Sequence, residues 1–183
     1  FNAKLVIEDG NACTDTIVKQ LVVLESPEAS FNINEQSNCL ETNLLDFENN
    51  TQFTSGAIGN VVWDLGDGSS SNSNDVYGKS YTSTGTFDIE LQVSGNNGCS
   101  DTLSKQVSIY HNPIINLSLN SDEQCLEGNK LLITNSSSTL SGNISQHNWD
   151  LGDGTSLTTP DVDYSYSTES LYLVNYTVES SVG

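Results

Sequence analysis

Arginine and methionine are absent from this 183-residue chain, and its basic residues are five lysines against 24 aspartates and glutamates. A formal charge of −19 repels phosphate backbones and anionic lipid, which argues against nucleic-acid and membrane-surface binding. The chain has no apolar run near the roughly 20 residues of a membrane helix, so no membrane insertion is expected of this segment. The four cysteines, Cys13, Cys39, Cys99 and Cys125, lack the CxxC spacing of zinc and thioredoxin sites. Only 35% of the residues are hydrophobic, too few for one large core and better suited to several thin ones. The acids are spread along the chain as a solvated surface, not gathered in a tail. Abundant Ser, Thr and Asn without methionine point to an oxidising, extracellular setting, secreted or on a cell surface. Phe1 begins within a strand pattern and no signal peptide precedes it, so the chain is expected to be a window on a longer one.

What the chain has is an internal repeat of 86 residues. Trp63–Ser70 reads WDLGDGSS and Trp149–Ser156 reads WDLGDGTS. The same shift lays Pro27 on Pro113, Cys39 on Cys125, Asn43 on Asn129 and Asp75 on Asp161 without a gap. It also lays Phe1 on Phe87, Cys13 on Cys99, Asp15-Thr16 on Asp101-Thr102 and Lys19-Gln20 on Lys105-Gln106. The expected domains are therefore the C-terminal strands of one repeat (1–26), a complete repeat (27–111), and a third (112–183) lacking its last strand. Late in the third repeat the register slips by one, Tyr81 meeting Tyr166 and Phe87 meeting Tyr172.

Local periodicity is that of strands. Phe87, Ile89, Leu91 and Val93 alternate with polar residues, as do Tyr172, Val174, Tyr176 and Val178, and Phe1, Ala3, Leu5 and Ile7. Shorter strands are predicted over 29–34, 44–49 and 60–65, and no amphipathic helix of useful length is present. About seven strands per repeat, with turns every 8–12 residues, predicts an all-β chain of tandem immunoglobulin-like seven-stranded β-sandwiches.

VVWDLGDGSSS followed by KSYTSTGTFDIELQVSGNNGCSDT resembles the polycystic-kidney-disease (PKD) domain. That family's pattern is a W-D-F-G-D-G core, then H-x-Y, then an aromatic-led alternating strand. Leu65 and Leu151 stand where it has phenylalanine, and Lys79 and Tyr164 stand where it has the histidine. The added cysteines resemble those of PKD repeats in large secreted surface proteins of the Bacteroidota, which implies stalks, adhesins or gliding-associated filaments.

Each candidate site has two readings. Trp63 and Trp149 are expected to fill the space between sheets as structural core. Asp67-Gly68 and Asp153-Gly154 then supply a tight hairpin, and Asp64 and Asp150 cap the corner through backbone amides. The rival reading is calcium at Asp64, Asp67, Asp150 and Asp153, since clustered carboxylates at a turn are hard-cation chemistry. No other cofactor is implied. A paired-carboxylate hydrolase needs a desolvated acid, which an exposed turn does not provide. His111 and His147 have no counterpart in the neighbouring repeat and read as spacer or surface residues. No enzyme is expected. Lys19 and Lys105 fall at nominally inward positions, either guarding a sheet edge or turned outward by a bulge. Thr16 and Thr102, in DTI and DTL, match a short bacterial O-glycosylation pattern.

All four cysteines are expected to form disulfides. Pairing Cys39 with Cys99 closes a loop of about 60 residues, worth ~4 kcal/mol. Alternating strands place those two residues at opposite poles, which favours bridges between neighbouring domains over a bridge within one, Cys39 reaching a cysteine expected just beyond Gly183. The chain thus reads as a structural and adhesive segment, stalk or filament, of a large secreted or surface protein. Its expected partners are the neighbouring repeats of the same chain, with other surface proteins or glycans beyond them. The alternative is an accessory module of a secreted hydrolase that binds polysaccharide or collagen.

Overall fold

Every described element is a strand or a turn, as the period-two patterning dictates. In the computed structural model, residues 1–182 are described. Strands β1 (Asn2–Glu8) and β2 (Thr14–Gln20) form an antiparallel hairpin registered from Asn2↔Gln20 to Glu8↔Thr14. Its turn is held by Asp9, whose Oδ1 accepts the N–H groups of Asn11 and Cys13, each at 2.9 Å. All residues of both strands are exposed.

The following repeat contains β3 (Phe31–Ile33), β4 (Ser37–Cys39), β5 (Leu45–Asn49), β6 (Ile58–Asp64), β7 (Ser70–Ser71), β8 (Val76–Lys79), β9 (Gly85–Gly95) and β10 (Ser100–Tyr110). They form two sheets, ordered β4-β10-β9-β6-β7 and β3-β5-β8. The third repeat contains β11 (Leu117–Leu119), β12 (Leu131–Asn135), β13 (Ile144–Asp150), β14 (Ser156–Leu157), β15 (Val162–Tyr164) and β16 (Asn175–Ser180). Its sheets are ordered β11-β12-β15 and β14-β13-β16. These are tandem immunoglobulin-like sandwiches, with eight strands in the middle repeat because β4 and β7 add short pairings. The strand expected to carry Tyr172 and Val174 begins only at Asn175.

By contact density the chain divides into two units, and the division runs through the middle repeat. One comprises Phe1–Asn32, Phe47–Val76 and Ile89–Lys105, the other Ile33–Asp46, Tyr77–Asp88 and Gln106–Gly183. The core of the first centres on Trp63, which is fully buried, with the Phe31 ring edge-on at 5.1 Å and Phe47 tilted at 6.1 Å. Its indole N–H donates to the carbonyls of Ser73 (3.1 Å) and Asn74 (3.3 Å), so the largest core side chain leaves no buried donor unpaired. Alternate residues of β9, Ile89, Leu91 and Val93, are also fully buried. In the second unit Trp149 packs with Leu131, Ile133, Leu151 and Val162. Its N–H donates to Thr159 at 2.9 Å, and the Tyr176 ring stacks on it at 4.1 Å. Both tryptophans are buried in the cores of their units.

Trp63→Ala is expected to cost about 3–5 kcal/mol, the range for truncating a buried aromatic. The urea-unfolding midpoint of the full chain measures it, and an unchanged midpoint would remove Trp63 from the core.

Candidate functional site

The WDLGDG corner is built the same way twice. β6 runs into β7 through Trp63↔Ser71 and Asp64↔Ser70, and β13 into β14 through Trp149↔Leu157 and Asp150↔Ser156. The Leu65 N–H donates to Ser69 C=O at 3.0 Å and that of Leu151 to Thr155 C=O at 2.9 Å. Three residues, not the expected Asp-Gly pair, therefore form each loop tip. Gly66 and Gly68 take φ of 75° and 86°, and Gly152 and Gly154 take 80° and 90°, a region that suits glycine. At Gly152 a side chain is excluded twice over, since a Cβ would lie 2.7 Å from the Leu173 carbonyl oxygen. Leu65 and Leu151, at 4% and 0% exposure, plug the base of each turn.

The aspartates are occupied by this turn. Asp64 Oδ1 accepts the Gly66 N–H and Asp150 Oδ1 that of Gly152, both at 2.9 Å. Asp67 Oδ1 accepts the N–H (3.0 Å) and hydroxyl (2.5 Å) of Ser69. Asp153 Oδ1 accepts the Thr155 N–H at 2.9 Å, while its Oδ2 takes the Tyr164 hydroxyl at 2.8 Å. The Tyr164 bond is the main reason the Asp153 carboxyl lies below the usual carboxylate range, with the Thr155 amide second. These are Asx-type turns, in which a short carboxylate satisfies the amide two residues on. Among the described residues no three Asp, Glu, His or Cys side chains group as a metal site. The four residues read as calcium ligands are brought together only in pairs, each oxygen at Oδ1 turned to its own loop.

No disulfide joins any two of the four cysteines; Cys13 and Cys125 are exposed, Cys39 and Cys99 half-buried. Parallel pairing sets Cys39 beside Tyr110 at the C-terminal end of β10, whereas Cys99 immediately precedes its N-terminal end. A strand of that length extends far beyond the ~5–6 Å Cα separation a disulfide requires. Thr16 and Thr102 are both exposed on strands. Lys105 is indeed inward: its ammonium donates to the Phe31 carbonyl and lies 4.8 Å from the centre of the Phe31 ring. Lys19, on the hairpin, is exposed. His111 is exposed, 3.4 Å from the Thr84 hydroxyl. His147 is not a surface residue. It is half-buried, its Nδ1 2.6 Å from the Tyr176 hydroxyl, which also accepts from Asn135 Nδ2 at 2.9 Å.

Four structural side chains went unrecognised in the sequence. Asn43, 6% exposed, donates from Nδ2 to the carbonyls of Leu40 (2.6 Å) and Tyr81 (3.0 Å) and accepts the Tyr81 N–H at 2.5 Å. Asn129 does the same with Leu126 (2.6 Å) and Tyr166 (2.8 and 2.7 Å). Their identity across the 86-residue shift was the available signal. Asp101, the acid of the DTL triplet, accepts the Ala29 N–H at 2.8 Å. Glu25 fastens the segment after the hairpin: its carboxylate takes the Thr54 hydroxyl at 2.9 and 3.0 Å and that of Ser55, and its carbonyl takes Asn97 Nδ2 at 2.8 Å. Nothing in the spacing announces this, because His111 occupies the position aligned with Glu25.

The family model of the PKD domain matches residues 25–109 and again 110–183. None of the curated proteins matches. Among solved structures, the PKD1 domain of Vibrio anguillarum Epp is 22% identical, covering 48% of this chain and 98% of its own, with a TM-score of 0.42. The PKD1 domain of the Vibrio cholerae metalloprotease PrtV is 26% identical, covering 46% and 98%, with a TM-score of 0.41. A structure from work on the promiscuous specificity of carbohydrate-binding modules of the β-sandwich superfamily is 15% identical, covering 84% of each chain, with a TM-score of 0.45.

The Ser55 and Thr54 hydroxyls hold the Glu25 carboxyl below the usual carboxylate range, Ser55 most strongly. A depressed folded-state value means that this clasp contributes fully above the ordinary range and is lost as pH falls through the depressed value. The Thr54 and Ser55 amide resonances are expected to shift with a midpoint below ~4.3, and to stop responding there in Glu25→Gln. A midpoint at or above that value would show the carboxylate to be free.

Proposed function

The chain belongs to the PKD domain family, and from that membership we propose that it is a structural and adhesive segment of a large secreted or cell-surface bacterial protein, a stalk whose work is reach and stiffness. The observation that carries this reading is how the recurring polar residues are used. In both copies of the corner the aspartates accept backbone amides of their own turn, and the asparagine pair ties one loop to another. Residues that recur in order to shape a turn support a scaffold role. Catalytic groups would instead converge on a cleft with a desolvated acid or base.

Two further features support the stalk. β4 and β10, early and late in the middle repeat, pair in parallel through Ser37↔Ser108, Asn38↔Ile109 and Cys39↔Tyr110. Tension drawn through the chain ends pulls such strands in opposite directions along their length, so the bonds of the ladder share the load instead of opening one at a time. Large exposed aromatics are also scattered: Tyr77 is 64% exposed and Phe1 88%. The tyrosines of the third repeat, Tyr164, Tyr166, Tyr172 and Tyr176, are half-buried. Glycan-binding surfaces are built from flat exposed rings, so the scatter weighs against the accessory-module reading.

Pulling the chain by its ends in a force spectrometer tests the proposal. Leu40→Pro removes the donor of the 2.9 Å bond from the Leu40 N–H to Tyr110 C=O at the end of the ladder. The parent is expected to unfold the middle repeat in a single high-force event, and the variant at clearly lower force. Equal forces would show that the ladder bears no load, and depletion of the chain from solution by insoluble polysaccharide or collagen would favour the accessory module.

A further inference from the structure

The chain has no methionine, a side chain that oxidants commonly attack. The third repeat has instead a row of three rings joined by contact and by a proton. Trp149 and Tyr176 are cross-strand partners on β13 and β16, and their rings stack at 4.1 Å. The Tyr176 hydroxyl lies 2.6 Å from His147 Nδ1. The protons of this network follow from its outer end. Asn135 Oδ1 accepts the Ser137 N–H at 2.9 Å, which fixes the orientation of its amide. Asn135 Nδ2 therefore faces the other two side chains, 2.9 Å from the Tyr176 oxygen and 3.3 Å from His147 Nδ1. An amide nitrogen only donates, so the Nδ1 beside it is an acceptor and the phenol proton points at it.

The other three tyrosines of the third repeat are placed differently. Tyr166 and Tyr172 donate to the carbonyls of Leu151 and Thr168, each at 2.8 Å, and a carbonyl does not take up a proton. Tyr164 donates to the Asp153 carboxylate, a far weaker base than imidazole. The middle repeat fills the same core without such a row. The 86-residue shift puts Val61 at the place of His147, and the later one-residue slip puts Leu91 at that of Tyr176. The rings against Trp63 are those of Phe31 and Phe47, which have no hydroxyl proton to give.

We propose that Trp149, Tyr176 and His147 form a relay that accepts the oxidising equivalent of a small one-electron oxidant, an oxygen- or nitrogen-centred radical, and holds it as a tyrosine phenoxyl. The oxidant takes one electron from the Trp149 indole and becomes an anion. The indole N–H faces the Thr159 carbonyl, which does not take its proton, so the ring remains a radical cation. Tyr176 then passes an electron across the stack while its hydroxyl proton moves along the 2.6 Å bond to His147 Nδ1. Trp149 is restored, Tyr176 is a neutral phenoxyl, and His147 is an imidazolium. One electron from a dissolved thiolate, with the proton returned by His147, closes the cycle. Imidazole suits this step because its basicity lies near neutral pH. The relay stands apart from the proposed stalk function and does not depend on it.

Pulse radiolysis of the full chain with the azidyl radical, which oxidises indole rings, is the test. Trp63→Phe leaves Trp149 as the single tryptophan. In that background the indolyl absorption is expected to give way to a phenoxyl absorption at a rate independent of protein concentration and slower in heavy water. Tyr176→Phe keeps the stacked ring and removes only the hydroxyl, and His147→Val installs the residue of the middle repeat. Each is expected to slow the conversion about 100-fold, the low end of what a positioned proton acceptor contributes. Trp149→Phe, which leaves only Trp63, is expected to keep its indolyl signal as long as those variants do. Circular dichroism checks that each variant is folded, and the heavy-water effect on the fast phase is also read on the unsubstituted chain. An unchanged rate in Tyr176→Phe or His147→Val, no heavy-water effect, or equally fast conversion starting from Trp63 would each overturn the proposal.

Discussion

A strand is stable only while its backbone groups have partners on both hydrogen-bonding sides or water on one, and β10 is where that constraint governs this molecule. In the middle repeat it lies between β9 and β4 in the five-stranded sheet. There β4 exists as a strand, β9 runs its full length, and the β9 side chains that face inward are closed off from solvent. In the third repeat the same sequence pattern yields a three-stranded sheet, a shortened β16 and half-covered core positions. The two repeats share their tryptophan corner and their asparagine lock.

Polar side chains do much of what apolar burial does in a larger domain. With a hydrophobic fraction of 35%, each sandwich has a single thin layer of core, and its loops are held by Asp and Asn reaching backbone amides. The pattern is consistent: Asp64, Asp67, Asp150 and Asp153 within turns, Asn43 and Asn129 between two loops, and Asp75 and Asp161 accepting the amides of Asn49 and Asn135 at 2.9 and 2.8 Å. A net hydrogen bond of this kind is worth roughly 1 kcal/mol, while an unpaired buried amide costs more. Part of the chain's acidity is this framework.

Period and repeat made the fold legible. Alternation located β1 and β9, the shorter runs located β3, β5 and β6, and the 86-residue shift aligned the two sandwiches before any coordinate. Three features stayed hidden, each for a physical reason. The start of β16 at Asn175 is a matter of strand pairing, which local alternation does not encode. The three-residue tip of the WDLGDG loop depends on which amide closes it, since Leu65 and Ser69 bond and thereby shift the turn by one residue. The Glu25 clasp joins residues about 30 and 72 positions apart and has no copy at the next junction. Asn43 was the exception that sequence held in plain view, because an asparagine that recurs among varying neighbours has a backbone to satisfy.

The lysines carry one more consequence. Lys4, Lys19 and Lys105 lie inside strands, Lys79 ends β8, and Lys130 sits directly before β12 in a 3.0 Å ion pair with Asp163. Digestive enzymes that cut beside basic residues must draw an extended stretch of several residues out of the fold and into their cleft. With no arginine, and each lysine within or against a hydrogen-bonded ladder, the native chain offers such enzymes almost no loop to seize. Durability among foreign proteases is thereby written into where the positive charges were allowed to remain.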